Sequence, residues 1–230
     1  MLLLSMDTST PEGSVALVNG APGGGEVWFA EEFRADRSHN SLLFGPLGRA
    51  VEEVRRRGVP VAGIVVGTGP GSYTGIRIGI AAARGLAVVL NLPVAGWNSF
   101  ASLEPGGDFH VLGDARRGEF FLARVVAGRM AGEVVIFPAD ELQSRMKDVR
   151  GTVYAMEGSV LVEDALPGKP SAVGLAQVFA EEFSYDVSRA FGGDRSGPIE
   201  PLYLRAPYFT QAADEVPPTR EAPSNPLTGT

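Results

Sequence analysis

The chain has 230 residues, of which 44% are apolar and 20% are charged, and its formal net charge is −7. This composition is typical of a globular protein with enough residues for one large domain or two lobes. The acidic balance argues against nucleic-acid binding by the chain alone, and the absence of cysteine excludes disulfides and cysteine-ligated metal centres.

Short patterns disfavour two further classes of protein. The only two histidines, His39 and His110, lie too far apart for an HExxH-type zinc site. The N-terminus carries no basic segment before its apolar run, unlike a signal peptide. The longest apolar run, 78–90, contains Arg84 and is shorter than the roughly 20 residues of a membrane span. We therefore expect a cytoplasmic protein.

The first part of the chain predicts three strands followed by a helix. Apolar runs at 2–6, 14–18 and 26–33 are separated by turn residues, which favours an antiparallel meander. Apolar residues then recur with helical spacing over 40–57. Pro46 should bend the first turns of this helix or shift its start. The basic run 55–57 at its end is typical of a solvated helix terminus.

A second strand–helix unit follows, and then the pattern repeats. The run 61–67 predicts a buried strand, 76–90 an apolar helix, and "LPVAGW" another strand. After "EPGGD", the strands 109–113, 119–126 and 133–137 and a helix from Asp140 repeat the opening order. A strand at "TVYAME" and a helix over 172–183 follow. The sequence thus predicts a duplicated β-β-β-α topology with lobes at 1–104 and 108–206, and a flexible tail at 207–230 that is rich in Pro, Ser and Thr.

The glycine loop "GTGPGSYTG", residues 67–75, lies between a predicted strand and a helix, where phosphates commonly bind. A Walker A loop needs Lys after its last glycine, but Gly75 is followed by Ile76 and Arg77. The dinucleotide fingerprint also fails, because the spacing is one residue too long and no acid follows before Leu103. A structural role remains, in which the glycines let the chain turn tightly before the helix; they are Gly69, Gly71 and Gly75.

The first predicted hairpin, "DTST", offers a different nucleotide hypothesis. In kinase-like folds an Asp with hydroxyls stands here, opposite a second Asp–Gly hairpin. In this chain Asp114 takes the second place but is followed by Ala115, and later adenosine-binding glycines are not evident. Alternatively, Asp7 and Thr10 close the hairpin through bonds from side chain to backbone. The candidate nucleotide-binding residues are Asp7, Thr8, Thr10 and Asp114.

The helix over 76–90 is apolar on nearly every side and must be buried on nearly every side. Small residues at spacing four form a ridge, Gly79–Ala83–Ala87, which allows close backbone approach. A second row consists of Ile78, Ala82, Leu86 and Val89. One side can pack on a sheet, while the other needs the helix 40–57 or a second polypeptide.

Four segments resemble the bacterial TsaB (YeaZ) family over residues 1–206. They are "LSMDTSTPEGSVAL", "GTGPGSYTGIRIGIAAARGLA", "DARRGEFF" and "PLYLR". The resemblance implies an α/β fold of the actin-like ATPase, sugar kinase and Hsp70 type (ribonuclease H-like), with two lobes. It also implies a non-catalytic subunit that pairs with the metal-bearing paralogue TsaD and works with the ATPase TsaE. The complex transfers a threonylcarbamoyl group to the adenosine beside the anticodon of ANN-decoding tRNAs.

The resemblance also implies where pairing occurs, namely on the helices 40–57 and 76–90. It predicts no catalytic residue, metal or cofactor in the isolated chain, leaves ATP or ADP and tRNA to the complex, and suggests a homodimer when the chain is alone. Tyr73 is either a contact anchor or a ring lying on its own lobe. Substituting Ala83 by Glu or Leu86 by Arg should break pairing. The alternative function is a small-molecule kinase or ATPase of the same fold. The predicted interface residues are Leu43, Leu47, Val51, Gly79, Ala82, Ala83 and Leu86.

Overall fold

The computed structural model describes residues 1–21, 25–34, 39–156, 162–192 and 198–204, except for the side chains of residues 39–41. The predicted tail 207–230 lies outside the described residues. Within them the chain forms two mixed sheets with helices packed on the first.

The first sheet has the strand order β3-β2-β1-β4-β5. Its first three strands are antiparallel neighbours, which confirms the predicted meander, and β4 and β5 run parallel to β1. Strand β1 is buried along its whole length, because helices cover both faces of the sheet. Alternate β1 residues therefore enter two different cores, with Leu4 in one and Leu3 in the other. The strands are β1 (Leu2–Asp7), β2 (Glu12–Asn19), β3 (Glu26–Arg34), β4 (Gly63–Gly67) and β5 (Val94–Trp97).

Two helices cover one face of this sheet, α1 (His39–Arg57) and α2 (Tyr73–Leu90). Helix α1 continues through Pro46. Helix α2 begins three residues before its predicted start, because Ser72 caps it by accepting a bond from the Gly75 amide at 3.2 Å. It is followed by Asn91, which has a left-handed backbone and donates its amide to the carbonyls of Ala87 and Val88 in the last turn.

The second sheet has the order β11-β10-β6-β7, with β8 and β9 both paired to β7. Its antiparallel strands β6, β7 and β9 and the parallel strand β10 repeat the pairing of β1, β2, β3 and β4 in the first sheet. The predicted helix from Asp140 is reduced to a 3-10 turn and the short helix α3 (Leu142–Met146). The strands are β6 (Phe109–Arg116), β7 (Glu119–Val126), β8 (Arg129–Met130), β9 (Val135–Pro138), β10 (Thr152–Met156) and β11 (Leu166–Gly168).

Helix α4 (Ala172–Glu182), predicted as part of the second lobe, packs on the other face of the first sheet. It is followed by α5 (Val187–Phe191). The side chains of Leu175 and Phe179 are fully buried there. The start of α4 is anchored by serines: Ser14 Oγ accepts from the Ala172 amide at 2.8 Å, and Ser5 Oγ donates to the Ala172 carbonyl at 2.7 Å. These bonds join the second half of the chain to the first hairpin.

Replacing Ser14 by Ala should destabilise the fold, since the buried Ala172 amide loses its acceptor. An unpaired buried donor costs about 1–3 kcal/mol. Urea unfolding followed by circular dichroism measures the change. Ser144→Ala is the matched control, because that hydroxyl donates to Glu141 at an exposed site and its loss should cost less than about 0.5 kcal/mol. Equal effects of the two substitutions would contradict the proposed anchoring role.

Candidate pairing surface

Helix α2 presents its small residues to its own sheet. Gly79 is buried, and a Cβ there would overlap the Thr8 hydroxyl and approach Val66 of β4. Ala83 is completely buried in the same core, as is Leu43 of α1. These three predicted interface residues are therefore unavailable to a partner. The reason is geometric: the ridge without bulky side chains is the one that lets the helix backbone approach the sheet.

The second apolar row of α2 lines an open groove between α1 and α2, with a volume of about 750 Å³. Four predicted interface residues lie in it, namely Leu47, Val51, Ala82 and Leu86. Leu47 forms the buried base, while the other three are half-buried. The remaining lining residues are Phe44, Gly48, Glu52, Arg55, Ile78, Ala81, Gly85 and Val89.

Several apolar residues at this surface are strongly exposed, among them Phe44 and Val89 in the groove and Val88 next to it in sequence. Val88 and Val89 are 82% and 79% exposed, the highest values among the large hydrophobic residues of the described part of the chain. Phe44 on α1 is 58% exposed. The sequence interpretation did not select Phe44 or Val88, although both lie on helices already assigned to pairing. Contiguous exposed apolar surface of this kind marks an interaction site.

By length and composition alone, α2 could also cross a membrane. However, its ridge and the neighbouring Ile76 and Ile80 are buried in the protein's own core. This one-sided burial is that of a core helix in a globular protein.

The glycine loop is filled by the first hairpin. The Ser72 amide donates to the Ser9 carbonyl at 2.7 Å, and Thr8 Oγ1 donates to the Gly75 carbonyl at 2.7 Å. A Cβ on Gly71 would overlap the Ser9 carbonyl, and one on Gly75 would overlap the Thr8 carbonyl. The glycines therefore permit close contact between two segments of the same chain.

The predicted nucleotide-binding residues make hydrogen bonds within their own turns and with the glycine loop. Asp7 is fully buried, and its Oδ1 accepts from the Ser9 amide at 2.8 Å and the Ser9 hydroxyl at 2.6 Å. Thr10 Oγ1 donates to the Glu12 carbonyl at 2.9 Å, so both residues close the hairpin locally. Asp114 is exposed near the end of β6 and accepts from the Arg116 amide at 2.6 Å. Within the described residues, no group of three His, Asp or Glu side chains could hold a metal ion.

Tyr73 lies on its own chain. Its ring stacks on Tyr203, with centroids 5.0 Å apart, and the Arg77 guanidinium lies over it at 4.2 Å. Arg77 Nε also donates to Tyr203 Oη at 2.9 Å. Gly69, the remaining loop residue, has a left-handed backbone that favours glycine and precedes the cis peptide to Pro70. The contacts of Tyr73 and Arg77 with Tyr203 therefore join the end of the loop and the start of α2 to the segment 198–204.

Burial raises the pKa of Asp7 above its ordinary value, although the Ser9 and Ser99 hydroxyls oppose the shift. A carboxyl with a raised folded-state pKa costs stability once the pH exceeds its unfolded value, and the full cost is reached above the folded value. We therefore expect Asp7→Asn to stabilise the fold near neutral pH by more than about 0.5 kcal/mol. The advantage should disappear as the pH falls towards the unfolded pKa. Urea unfolding across this pH range tests it, and a destabilised variant at neutral pH would contradict it.

The chain matches a protein-family model described as TsaD, tRNA N6-adenosine threonylcarbamoyltransferase, over residues 33–192. It is 31% identical over 211 residues to an uncharacterized protein of Mycobacterium tuberculosis, covering 89% of this chain and 92% of the relative. It is 28% identical over 233 residues to the tRNA threonylcarbamoyladenosine biosynthesis protein TsaB of Escherichia coli K12, covering 89% and 95%.

Solved structures support the same relationship. The structure described as YeaZ from Pseudomonas aeruginosa aligns with a TM-score of 0.60 and 25% identity, over 88% of this chain and 99% of the other. A second structure, described as a protein with similarity to peptidase YEAZ from Pseudomonas aeruginosa, gives a TM-score of 0.63 at the same identity. The chain therefore belongs to the TsaD family and, within it, to the TsaB (YeaZ) proteins of tRNA threonylcarbamoyladenosine biosynthesis.

Proposed function

We propose that the chain is a non-catalytic subunit that pairs with the catalytic paralogue TsaD and recruits the ATPase TsaE. The complex would transfer a threonylcarbamoyl group to the adenosine beside the anticodon of ANN-decoding tRNAs in the cytoplasm. The observation that carries this proposal is the open apolar groove between α1 and α2, which includes the exposed Val89 and is adjoined in sequence by the exposed Val88. A helix of a partner packed in this groove would remove these side chains from water.

The strand arrangement supports an actin-like ATPase fold for the chain. Strands β3-β2-β1-β4-β5 and β9-β7-β6-β10-β11 follow the same order with the same antiparallel and parallel pairings. Two copies of this unit are the architecture that the resemblance implies. A paralogue built on the same unit would carry equivalent first-sheet helices, which suits pairing between like surfaces.

The interlocked hairpin and glycine loop support a subunit without its own phosphoryl chemistry. Here Ser9 and Thr8 of the hairpin pack directly against Gly71 and Gly75, which gives the loop a structural role within its own chain. The alternative of a small-molecule kinase or ATPase has no comparable observation in its favour. Binding of ATP by the isolated chain, with phosphoryl transfer to a small acceptor, would overturn the proposal.

Leu86→Arg should abolish pairing with TsaD while leaving the chain folded. Leu86 lines the groove and is only half-buried, but a partner would bury the new charge without a counterion, at a cost of several kcal/mol. Size-exclusion chromatography of the mixed proteins measures pairing. Leu166→Arg is the matched control, since Leu166 is 48% exposed on β11, away from the groove. Co-elution of the Leu86 variant at wild-type affinity would show that the surface is wrong.

Ala83→Glu should behave differently from Leu86→Arg. Because Ala83 is completely buried in the chain's own core, a glutamate there should unfold the protein rather than block pairing selectively. Circular dichroism of the purified variants separates the two outcomes. A folded Ala83 variant that fails to pair would restore the original assignment of this residue to the interface.

Depletion of the chain should remove threonylcarbamoyladenosine from cellular tRNA. Wild type, Leu166→Arg and Asp7→Asn should restore the modified nucleoside, whereas Leu86→Arg should not. Mass spectrometry of digested tRNA provides the measurement. Loss of rescue by Asp7→Asn, with pairing retained, would favour a chemical role for the chain, and full rescue by Leu86→Arg would contradict the pairing function.

A further inference from the structure

Two of the three arginines that end α1 are already satisfied by their own chain. Arg56 donates to Glu53 at 2.8 and 2.6 Å, and Arg57 donates to the same carboxylate at 2.5 Å. These bonds hold the pKa of Glu53 down to about 2. Arg57 also lies over the Trp28 ring at 4.5 Å. Both arginines are thus engaged by residues of their own chain.

Arg55 differs from its two neighbours because it lines the groove. Its side chain is exposed, and no hydrogen bond or ion pair joins it to any of the residues that the structure describes. The nearest acidic residue in sequence that also lines the groove, Glu52, acts electrostatically on Arg49, whose guanidinium in turn binds Glu31. The groove therefore combines an apolar floor with a rim that carries Arg55 and Glu52, neither of which forms a hydrogen bond or ion pair with the described residues.

We propose that Arg55 receives a carboxylate from the helix that occupies the groove, and that this contact selects the partner. The occupant is then a helix with an apolar face and an acidic residue at its edge, carried by the TsaD paralogue. This inference rests on the proposed pairing function and adds a specificity determinant to it. Complementary rim charges steer encounter and fix register more than they add affinity.

A second copy of this chain is the competing occupant of the groove. In a two-fold pair each copy presents the same rim to the other, so Glu52 of one copy would face the Arg55 side of its partner's groove. Self-association and association with the paralogue, measured separately, distinguish the two occupants.

The test compares Arg55→Glu with Arg56→Glu. Both substitutions change the formal net charge of −7 by two units, to −9, on adjacent residues of one helix. Only the first alters the groove. Association with purified TsaD paralogue is followed by surface plasmon resonance at several salt concentrations. We expect Arg55→Glu to slow association about tenfold at low salt, and to recover part of this loss as salt is raised, because salt screens the new repulsion from the partner's acid. Arg56→Glu should associate like wild type.

Three results would overturn the inference. Equal slowing by both variants would indicate a general charge effect. Wild-type association by Arg55→Glu, with pairing still blocked by Leu86→Arg, would leave the pairing surface intact but remove Arg55 from it. Self-association that depends on Arg55, with no effect on the paralogue, would make a second copy the occupant. If Leu86→Arg also pairs normally, the proposed function itself fails.

Arg55 could instead serve only to stabilise the C-terminus of α1, and the melting temperature of a variant distinguishes this role from partner binding. A cation near a helix C-terminus stabilises the helix, so Arg55→Gln would then lower the melting temperature of the isolated chain without changing association. We expect the reverse: slower association with the paralogue and a melting temperature close to that of wild type. The opposite pattern would contradict the proposal.

Discussion

Helix α2 is apolar on two sides but has only one sheet to lie on. Its small ridge packs against β1 and β4, which leaves the row with Ile78, Ala82, Leu86 and Val89 facing away from the sheet. Helix α1 covers part of that row and creates a groove rather than closing it. The glycine loop, the Ser72 cap and the hairpin contacts all fix where α2 begins, so they determine which row remains open.

Periodicity was enough to predict the elements of the first sheet and its two helices, because apolar alternation and helical spacing are local properties of the sequence. It could not decide which row of α2 would face the sheet, since both rows are apolar. Gly79 and Ala83 went to the sheet because only small residues allow the backbone to approach Thr8 and Val66. Ala82 and Leu86, on the other row, line the open groove, and their predicted contact with a partner stays a prediction.

The docking of α4 illustrates what a local pattern cannot reveal. Its sequence predicts a helix, but its position depends on Ser5 and Ser14, more than 150 residues earlier in the chain. A similar contact between residues distant in sequence determines the role of the glycine loop. Its spacing resembles a phosphate site from the sequence, and only the approach of Ser9 and Thr8 shows that the chain itself fills it. Asp7 closes the same hairpin through its Oδ1, whereas its buried Oδ2 has no hydrogen-bond partner among the described residues.

The placement of α4 has a consequence for biosynthesis on the ribosome. All five strands of the first sheet are synthesised by Trp97, yet the face that receives Leu175 and Phe179 stays open to water until α4 has emerged. During that interval the nascent chain exposes Leu3, Val18 and Val65, and exposed apolar sheet surface of this kind promotes aggregation. This face of the first sheet is therefore covered only after nearly four-fifths of the polypeptide has been translated. Until then the uncovered face is a binding surface for chaperones that shield nascent chains.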